Sequence, residues 1–129
     1  MKIMTFQLAG EQCAVELSSV YAVARAEESV GEGVPQTLEL SDRLGWGPAA
    51  GPGALLDLRR GEQRARLRVE RLGEVVEVPD SLVREPPRFF SSPLLRGVVS
   101  VDDRLTVLLD PEVLLQENSR AGVKETEEA

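Results

Sequence analysis

Apolar residues recur at every second position over much of this chain, which is the pattern of β-strands that bury one face. Residues 3–17 contain two such runs, and the sequence AGEQ between them supplies a turn. We therefore predict a first β-hairpin over residues 3–17. Its apolar positions are Met4, Phe6, Leu8, Cys13, Val15 and Leu17.

The same pattern predicts two further hairpins, a central one over residues 54–78 and a closing one over residues 94–110. The central hairpin has Gly61 at its first turn. Its last strand, GEVVEV, ends before Pro79, which has no N–H to donate to a β-ladder. Apolar and charged residues alternate strictly in one strand. This predicts a buried face of Ala65, Leu67 and Val69 and a solvent-exposed face of Arg64, Arg66, Arg68 and Glu70.

Three aspartates near the end of the chain are structural rather than catalytic by position. Asp102 and Asp103 stand where the closing hairpin must reverse, and Asp side chains bond nearby backbone N–H groups in turns. A catalytic pair needs carboxyl groups that face each other across a site, whereas neighbours in a solvated turn diverge. Asp110 precedes Pro111, which is an N-cap followed by a favoured first helical residue, so we predict a short helix over residues 111–116.

Two segments have no regular pattern. Residues 25–54 are rich in glycine and proline, and we expect an irregular, shortened region with one helical turn capped by Ser41. Trp46 in this region is either a hydrophobic plug or an exposed contact residue. Residues 117–129 are polar and acidic, which predicts a disordered tail after a domain of residues 1–116.

Length and composition bound the fold class. A chain of 129 residues, 42% hydrophobic and 29% charged, suits one globular domain. Six or seven short strands with almost no helix predict an all-β fold, either a sandwich or a pair of small barrels. The chain has no histidine, and the single cysteine, Cys13, alternates with core residues as a packing side chain. An enzyme, a metal site and a cofactor therefore have no support in the sequence.

The charge pattern favours protein partners. A formal net charge of −7 and five aromatic residues argue against direct binding of nucleic acid. No apolar run approaches the roughly 18 residues of a membrane helix, and the first residues lack a secretory signal, so we expect a cytoplasmic protein without membrane insertion. Residues 59–71 carry six arginines and two glutamates. They either dock an acidic partner or form a charged edge strand that resists aggregation.

Five segments, in order and over residues 4–115 or so, resemble the CheW family of chemotaxis coupling proteins. They are FQLAGEQCAVELSSVYAVAR, LELSDRLGW, LLDLRRGEQRARLRVERLGEVVEVP, SLVREPPRFF and LLRGVVSVDDRLTVLLDPEVLL. The resemblance implies a CheW-like fold of two linked small β-barrel subdomains with a short C-terminal helix. Between Arg25 and Pro35 the chain has AEESVGEG where the family carries a longer segment, so we expect the first subdomain to be truncated.

The same resemblance implies a non-catalytic adaptor. Its partner would be the cytoplasmic signalling tip of a methyl-accepting chemoreceptor, bound in a groove lined by Val20, Val23, Leu72 and Val75. The alternative is that these four residues belong to the core. Arg84 and Phe89 match positions of a loop that joins such adaptors and kinase domains into rings. This adds a CheA-type histidine kinase or other CheW-like proteins as partners.

The missing strands belong to the barrel that pairs with the kinase in the family, so we expect weakened or absent direct coupling to the kinase. A chain shortened in this way resembles the accessory CheW-like proteins of Frz-type motility pathways in gliding bacteria. Two alternatives stay open: a conventional CheW coupling protein that bridges receptor and CheA-type kinase, and a small ligand-binding β-barrel unrelated to chemotaxis.

Overall fold

Two β-sheets make up most of the structure. The computed structural model describes residues 1–25, 37–47, 53–86 and 92–116. Its strands are β1 (Lys2–Leu8), β2 (Glu11–Glu16), β3 (Val20–Arg25), β4 (Thr37–Glu39), β5 (Ala54–Arg60), β6 (Gln63–Val69), β7 (Arg71–Glu77), β8 (Leu95–Val101) and β9 (Arg104–Leu109). The helices are α1 (Leu40–Arg43) and α2, over residues 111–116, and 3-10 turns span Leu17–Ser19 and Asp80–Leu82.

The described strands divide into a five-stranded sheet and a four-stranded sheet. Sheet A has the order β7-β1-β2-β9-β8, and sheet B has the order β3-β5-β6-β4. Neighbouring strands are antiparallel except for β2 with β9 and β4 with β6. The prediction of an all-β fold with two small subdomains and short helices is confirmed. The expected truncation falls on residues 26–36, which lie outside the described residues, and stays a prediction, as does the disordered tail over residues 117–129.

Tight turns join two of the antiparallel pairs of sheet A. Ala9 and Gly10 connect β1 to β2 with φ of 52° and 78°, and Asp102 and Asp103 connect β8 to β9 with φ of 49° and 62°. Two successive residues of positive φ form the turn whose twist matches that of the flanking strands. Asp102 and Asp103 are therefore turn residues, as predicted, because a short polar side chain tolerates this backbone region.

The main hydrophobic core lies between the two sheets. The dry face predicted for β6 is confirmed, because Ala65, Leu67 and Val69 are fully buried. The core contains Phe6, Leu8, Cys13, Val15, Val107 and Leu109 from sheet A, Leu38, Leu56, Leu58, Ala65, Leu67 and Val69 from sheet B, and Leu40, Leu94, Leu114 and Leu115 from helices and a loop.

A second, smaller core covers the opposite face of sheet A. Val83, in the segment after β7, packs against it, and Arg84 pairs with Val98 of β8 through two backbone hydrogen bonds of 2.9 and 2.8 Å. Gly97 permits this approach, because a Cβ at that position would lie 2.6 Å from the Arg84 carbonyl oxygen. Sheet A is thus covered on both faces. The residues of this core are Ile3, Ala14, Val78, Val99, Val101 and Leu108.

The stretch 54–78, predicted as one hairpin, is divided between the sheets. β5 and β6 form a hairpin in sheet B, but β7 pairs with β1 in sheet A. Glu70 is the single residue between β6 and β7, which is too short a connection for a hairpin turn. Its N–H donates to the Gln7 carbonyl oxygen at 3.0 Å, and its carboxylate accepts the N–H of Ala9. Sequence periodicity does not reveal this change of sheet, because side chains alternate in the same way in either one.

The arginine-rich strand β6 lies inside sheet B, between β5 and β4, so its interpretation as an edge strand is wrong. Two of its arginines pair with acidic residues of the neighbouring strands. Arg66 makes a bidentate ion pair with Asp57, with N–O distances of 2.6 and 2.9 Å, and Arg68 lies 3.4 Å from the Glu39 carboxylate. These cross-strand pairs link β6 to both of its neighbours.

The helices differ from the prediction at one cap. α1 has Glu39 as its N-cap and Ser41 lies buried inside it, so the assignment of Ser41 as the cap is wrong. The reason is that β4 runs directly into the helix. At α2 the predicted cap is confirmed, because Asp110 Oδ1 accepts the N–H of Glu112 at 3.0 Å. Trp46 packs partly buried against the main core, which favours the plug interpretation.

Leu67→Asp places a charge in the main core, where Leu67 is fully buried on β6. We expect it to unfold the protein, at a cost of about 4 kcal/mol or more, because a buried carboxylate without a partner is among the most costly changes. Urea denaturation followed by circular dichroism measures this. Gln63→Asp is the matched control, since Gln63 is exposed near the end of the same strand. Equal stability of the two variants would contradict the assignment of the buried face.

Candidate protein-binding site

The four aliphatic residues singled out in the sequence lie on two edge strands. Val20 and Val23 belong to β3, one edge of sheet B as described, and Leu72 and Val75 belong to β7, one edge of sheet A as described. Residues three apart on a regular strand point to opposite faces, so neither pair would share a face on an ideal strand. Both strands depart from regularity between the paired residues.

A β-bulge brings Val20 and Val23 to one face of sheet B. Val20 pairs with Leu58 and Val23 pairs with Leu56, so β3 uses one more residue than β5 over this stretch. Cross-strand partners lie on the same face. Because Leu56 and Leu58 are both buried in the main core, Val20 and Val23 lie on the core-facing side of the sheet.

A second bulge does the same for sheet A. Met4 pairs with Val75 and Phe6 pairs with Leu72, so two residues of β7 stand opposite the single residue Thr5 of β1. Met4 and Phe6 are two apart, share a face, and pack into the main core. Leu72 and Val75 therefore also lie on the core-facing side of their sheet.

The two residues of each strand differ in exposure, and we call the four together the aliphatic face (Val20, Val23, Leu72 and Val75). Val20 and Leu72 are partly buried against the main core. Val23 and Val75 are 47% and 49% exposed, although both are large apolar side chains. The alternative that all four belong to the core therefore does not hold for Val23 and Val75. Each edge strand presents one anchored and one exposed aliphatic residue, an arrangement that can accept an apolar side chain from a partner.

Tyr21, which sequence reasoning did not single out, occupies the extra position of the β3 bulge. Tyr21 is 57% exposed, and the guanidinium Cζ atoms of Arg59 and Arg64 lie over its ring, 5.2 and 5.6 Å from the ring centroid. Cation–π attraction of this kind fixes the ring on the sheet surface. The sequence signal was a tyrosine beside Val20, in a strand followed by an arginine-rich hairpin.

The predicted ring-contact loop is described in part. The backbone of Arg84 is held against β8 by its two hydrogen bonds to Val98, and its side chain is exposed. Phe89 lies outside the described residues. The role of this loop as an interface stays a prediction.

Two of the surface cavities are lined by residues that the structure describes. One, of about 260 Å³, lies beside Leu72 and is bordered by Gln7, Gln12 and Arg71. The other, of about 300 Å³, has a charged lining in which Arg60 pairs with Glu112 at 2.5 Å. Neither has the apolar lining expected of a small-molecule site. The second cavity is lined by Glu16, Arg60, Arg96, Asp110, Pro111 and Glu112.

Neither a metal cluster nor a membrane-spanning helix is found in the described part of the chain. Its cysteine and acidic residues form no group of three or more that could hold a metal ion. None of its helices is long and apolar enough to cross a membrane.

Cys13 packs in the main core, as its alternation predicts, and is fully buried. Burial, with a smaller contribution from the Glu11 carboxylate, raises the pKa of the Cys13 thiol to about 12. A thiol with so high a pKa is protonated at neutral pH and is a poor nucleophile.

Residues 2–119 match the family model of the CheW-like domain. The chain belongs to the CheW-like domain family. Among solved structures, this CheW-like chain resembles the scaffolding protein TtCheW from Thermoanaerobacter tengcongensis, with a TM-score of 0.70 and 18% sequence identity. The match covers 84% of this chain and 83% of that one, and at this identity it establishes a shared fold. No curated protein sequence matches significantly.

The Cys13 pKa predicts a loss of stability at high pH. The folded CheW-like chain keeps the thiol protonated up to about pH 12, whereas the unfolded chain ionises near 9.0. The stabilisation is therefore fully present below pH 9.0 and is lost as the pH rises towards about 12. We expect the free energy of unfolding to fall more steeply over this window in the wild type than in Cys13→Ala. Parallel curves, or rapid alkylation of the native thiol, would contradict a buried, protonated Cys13.

Proposed function

We propose that this CheW-like chain is a non-catalytic chemosensory adaptor that acts in the cytoplasm and binds the signalling tip of a methyl-accepting chemoreceptor. The exposure of Val23 and Val75 on strand faces continuous with the main core carries the proposal. The family match over residues 2–119 supports an adaptor of this type.

An amphipathic helix of the receptor tip suits the aliphatic face. Helix-in-groove recognition needs a few apolar anchors on a firm base rather than a deep pocket. Val20 and Leu72 supply the base because they are packed into the core, and Val23 and Val75 supply the contact because about half of each is exposed. Full burial of an aliphatic side chain is worth about 1.5 to 3 kcal/mol, so a few such contacts suffice for a reversible complex.

Direct coupling to a CheA-type kinase is weakened or absent in this proposal. The reason lies in the sequence, where AEESVGEG replaces a longer family segment in the barrel that pairs with the kinase. Arg84 and Phe89 remain candidates for contact with a kinase or with other CheW-like proteins.

A conventional coupling protein is the second candidate. The firm attachment of Arg84 to β8 favours it, because a loop held by two backbone hydrogen bonds costs less entropy to use as an interface. In that case the chain binds both receptor and kinase.

Val23→Arg and Val75→Arg should each weaken receptor-tip binding at least about tenfold, because each removes an apolar anchor and buries a charge. Both variants should stay folded, since both side chains are half exposed. The measurement is a calorimetric titration with a soluble receptor signalling-tip hairpin. Leu105→Arg is the matched control, because Leu105 is 58% exposed on β9, a strand that pairs with neither β3 nor β7. Equal affinity of the two test variants and the control would exclude the aliphatic face as the binding site.

A parallel titration with the regulatory domain of the kinase tests coupling. We expect binding that is weak or undetectable under conditions in which the receptor tip binds. Tight binding of both partners would identify the conventional coupling protein. Full-strength kinase binding without receptor binding would overturn the proposed function.

A further inference from the structure

The bulge in β7 is held by one buried hydroxyl group. Thr5 is 6% exposed and stands opposite the two bulge residues of β7, Gly73 and Glu74. Its Oγ1 accepts the N–H of Glu74 at 2.8 Å and donates to the carbonyl oxygen of Glu74 at 3.0 Å. The threonine side chain thus satisfies both backbone groups of a residue that the bulge removes from regular pairing.

A close contact occurs at the same place from the β7 side. A Cβ at Gly73 would overlap Thr5 Oγ1 and would lie 3.0 Å from the Thr5 carbonyl oxygen. Gly73 has space for Thr5 because it lacks a side chain. The bulge therefore combines two features: the Thr5 hydroxyl bonds its backbone, and the missing Cβ of Gly73 leaves space for that hydroxyl.

The bulge decides which face Leu72 and Val75 share. With regular antiparallel pairing, residues three apart point to opposite faces, and one of the two would leave the core-facing side. Without the Thr5 hydroxyl, the N–H and carbonyl of Glu74 lose a hydrogen-bond partner in a partly buried position. The bulge is then less stable relative to regular strand pairing.

We propose that Thr5 is a positioning residue: its hydroxyl holds the β7 bulge and thereby keeps Leu72 and Val75 together on the aliphatic face. Its effect on receptor binding rests on the proposed function, whereas its effect on the bulge does not. Thr5 itself stays out of contact with a partner on the aliphatic face, since it alternates with Met4 and Phe6 and lies on the opposite side of β1.

Thr5→Val and Thr5→Ser test the proposal as a matched pair. Valine keeps the branched shape and removes the hydroxyl, whereas serine keeps the hydroxyl and removes a methyl group. In Thr5→Val we expect amide hydrogen exchange at Glu74 to accelerate at least about tenfold. We also expect the nuclear Overhauser effect that reports the Met4–Val75 side-chain contact to weaken. Thr5→Ser should retain both signals. Gly73→Ala should reproduce the effect of valine from the other strand.

Receptor-tip titration of the same variants measures the consequence for binding. We expect Thr5→Val to bind the receptor tip about tenfold more weakly than the wild type and Thr5→Ser to keep the wild-type affinity. Both variants should be folded at the temperature of the titration. Unchanged Glu74 protection and an unchanged Met4–Val75 contact in Thr5→Val would overturn the proposal. A disturbed bulge with wild-type affinity would equally overturn it, because position would then not matter for binding.

The two levels fail separately. If the wild type binds no receptor tip, the proposed function is wrong, and the exchange and NMR measurements still decide whether Thr5 holds the bulge. If the wild type binds and Thr5→Val alters neither signal, the proposed function stands and the positioning role is wrong.

Discussion

Burial of the facing surfaces of sheets A and B is the interaction on which the rest of the structure depends. Phe6 and Leu109 of sheet A and Leu56 and Leu67 of sheet B all reach full burial in one shared core. Each such side chain contributes about 1.5 to 3 kcal/mol when it leaves water. The outermost strands β3 and β7 border this core, so their core-facing residues are covered on one side and open on the other. A partly exposed apolar margin follows from the way the sheets meet.

Much of the fold could be predicted from side-chain alternation because that signal is local. The dry face of β6 at Leu67, the turn at Asp102 and Asp103, and the cap at Asp110 each depend on neighbouring residues alone. The crossing at Glu70 could not be predicted, because the choice of sheet depends on contacts with distant strands. The prediction of Ser41 as the N-cap of α1 is wrong for a related reason. Strand β4 runs straight into α1, so Glu39 occupies the capping position.

The candidate site shows the same division. Its four residues follow from resemblance to a family, but their common orientation does not follow from spacing, since positions three apart predict opposite faces. One extra residue in each edge strand reverses that expectation. The two bulges involve different side chains: in β7 the Thr5 hydroxyl bonds the bulged backbone, and in β3 the extra residue, Tyr21, lies close to two arginines. Both edge strands thus contain a bulge that places residues three apart on one face, although the side chains at the two bulges are unrelated.

The strand order has a consequence for how the chain is made. All strands of sheet B lie between β2 and β7 in sequence, whereas sheet A needs β1 and β2 from the start of the chain and β9 from its end. On a ribosome, sheet B can assemble while β2 still waits for its parallel neighbour β9. Strands β1 and β2 thus emerge before the strands of sheet B, and until β9 follows, one edge of β2 lacks its parallel partner.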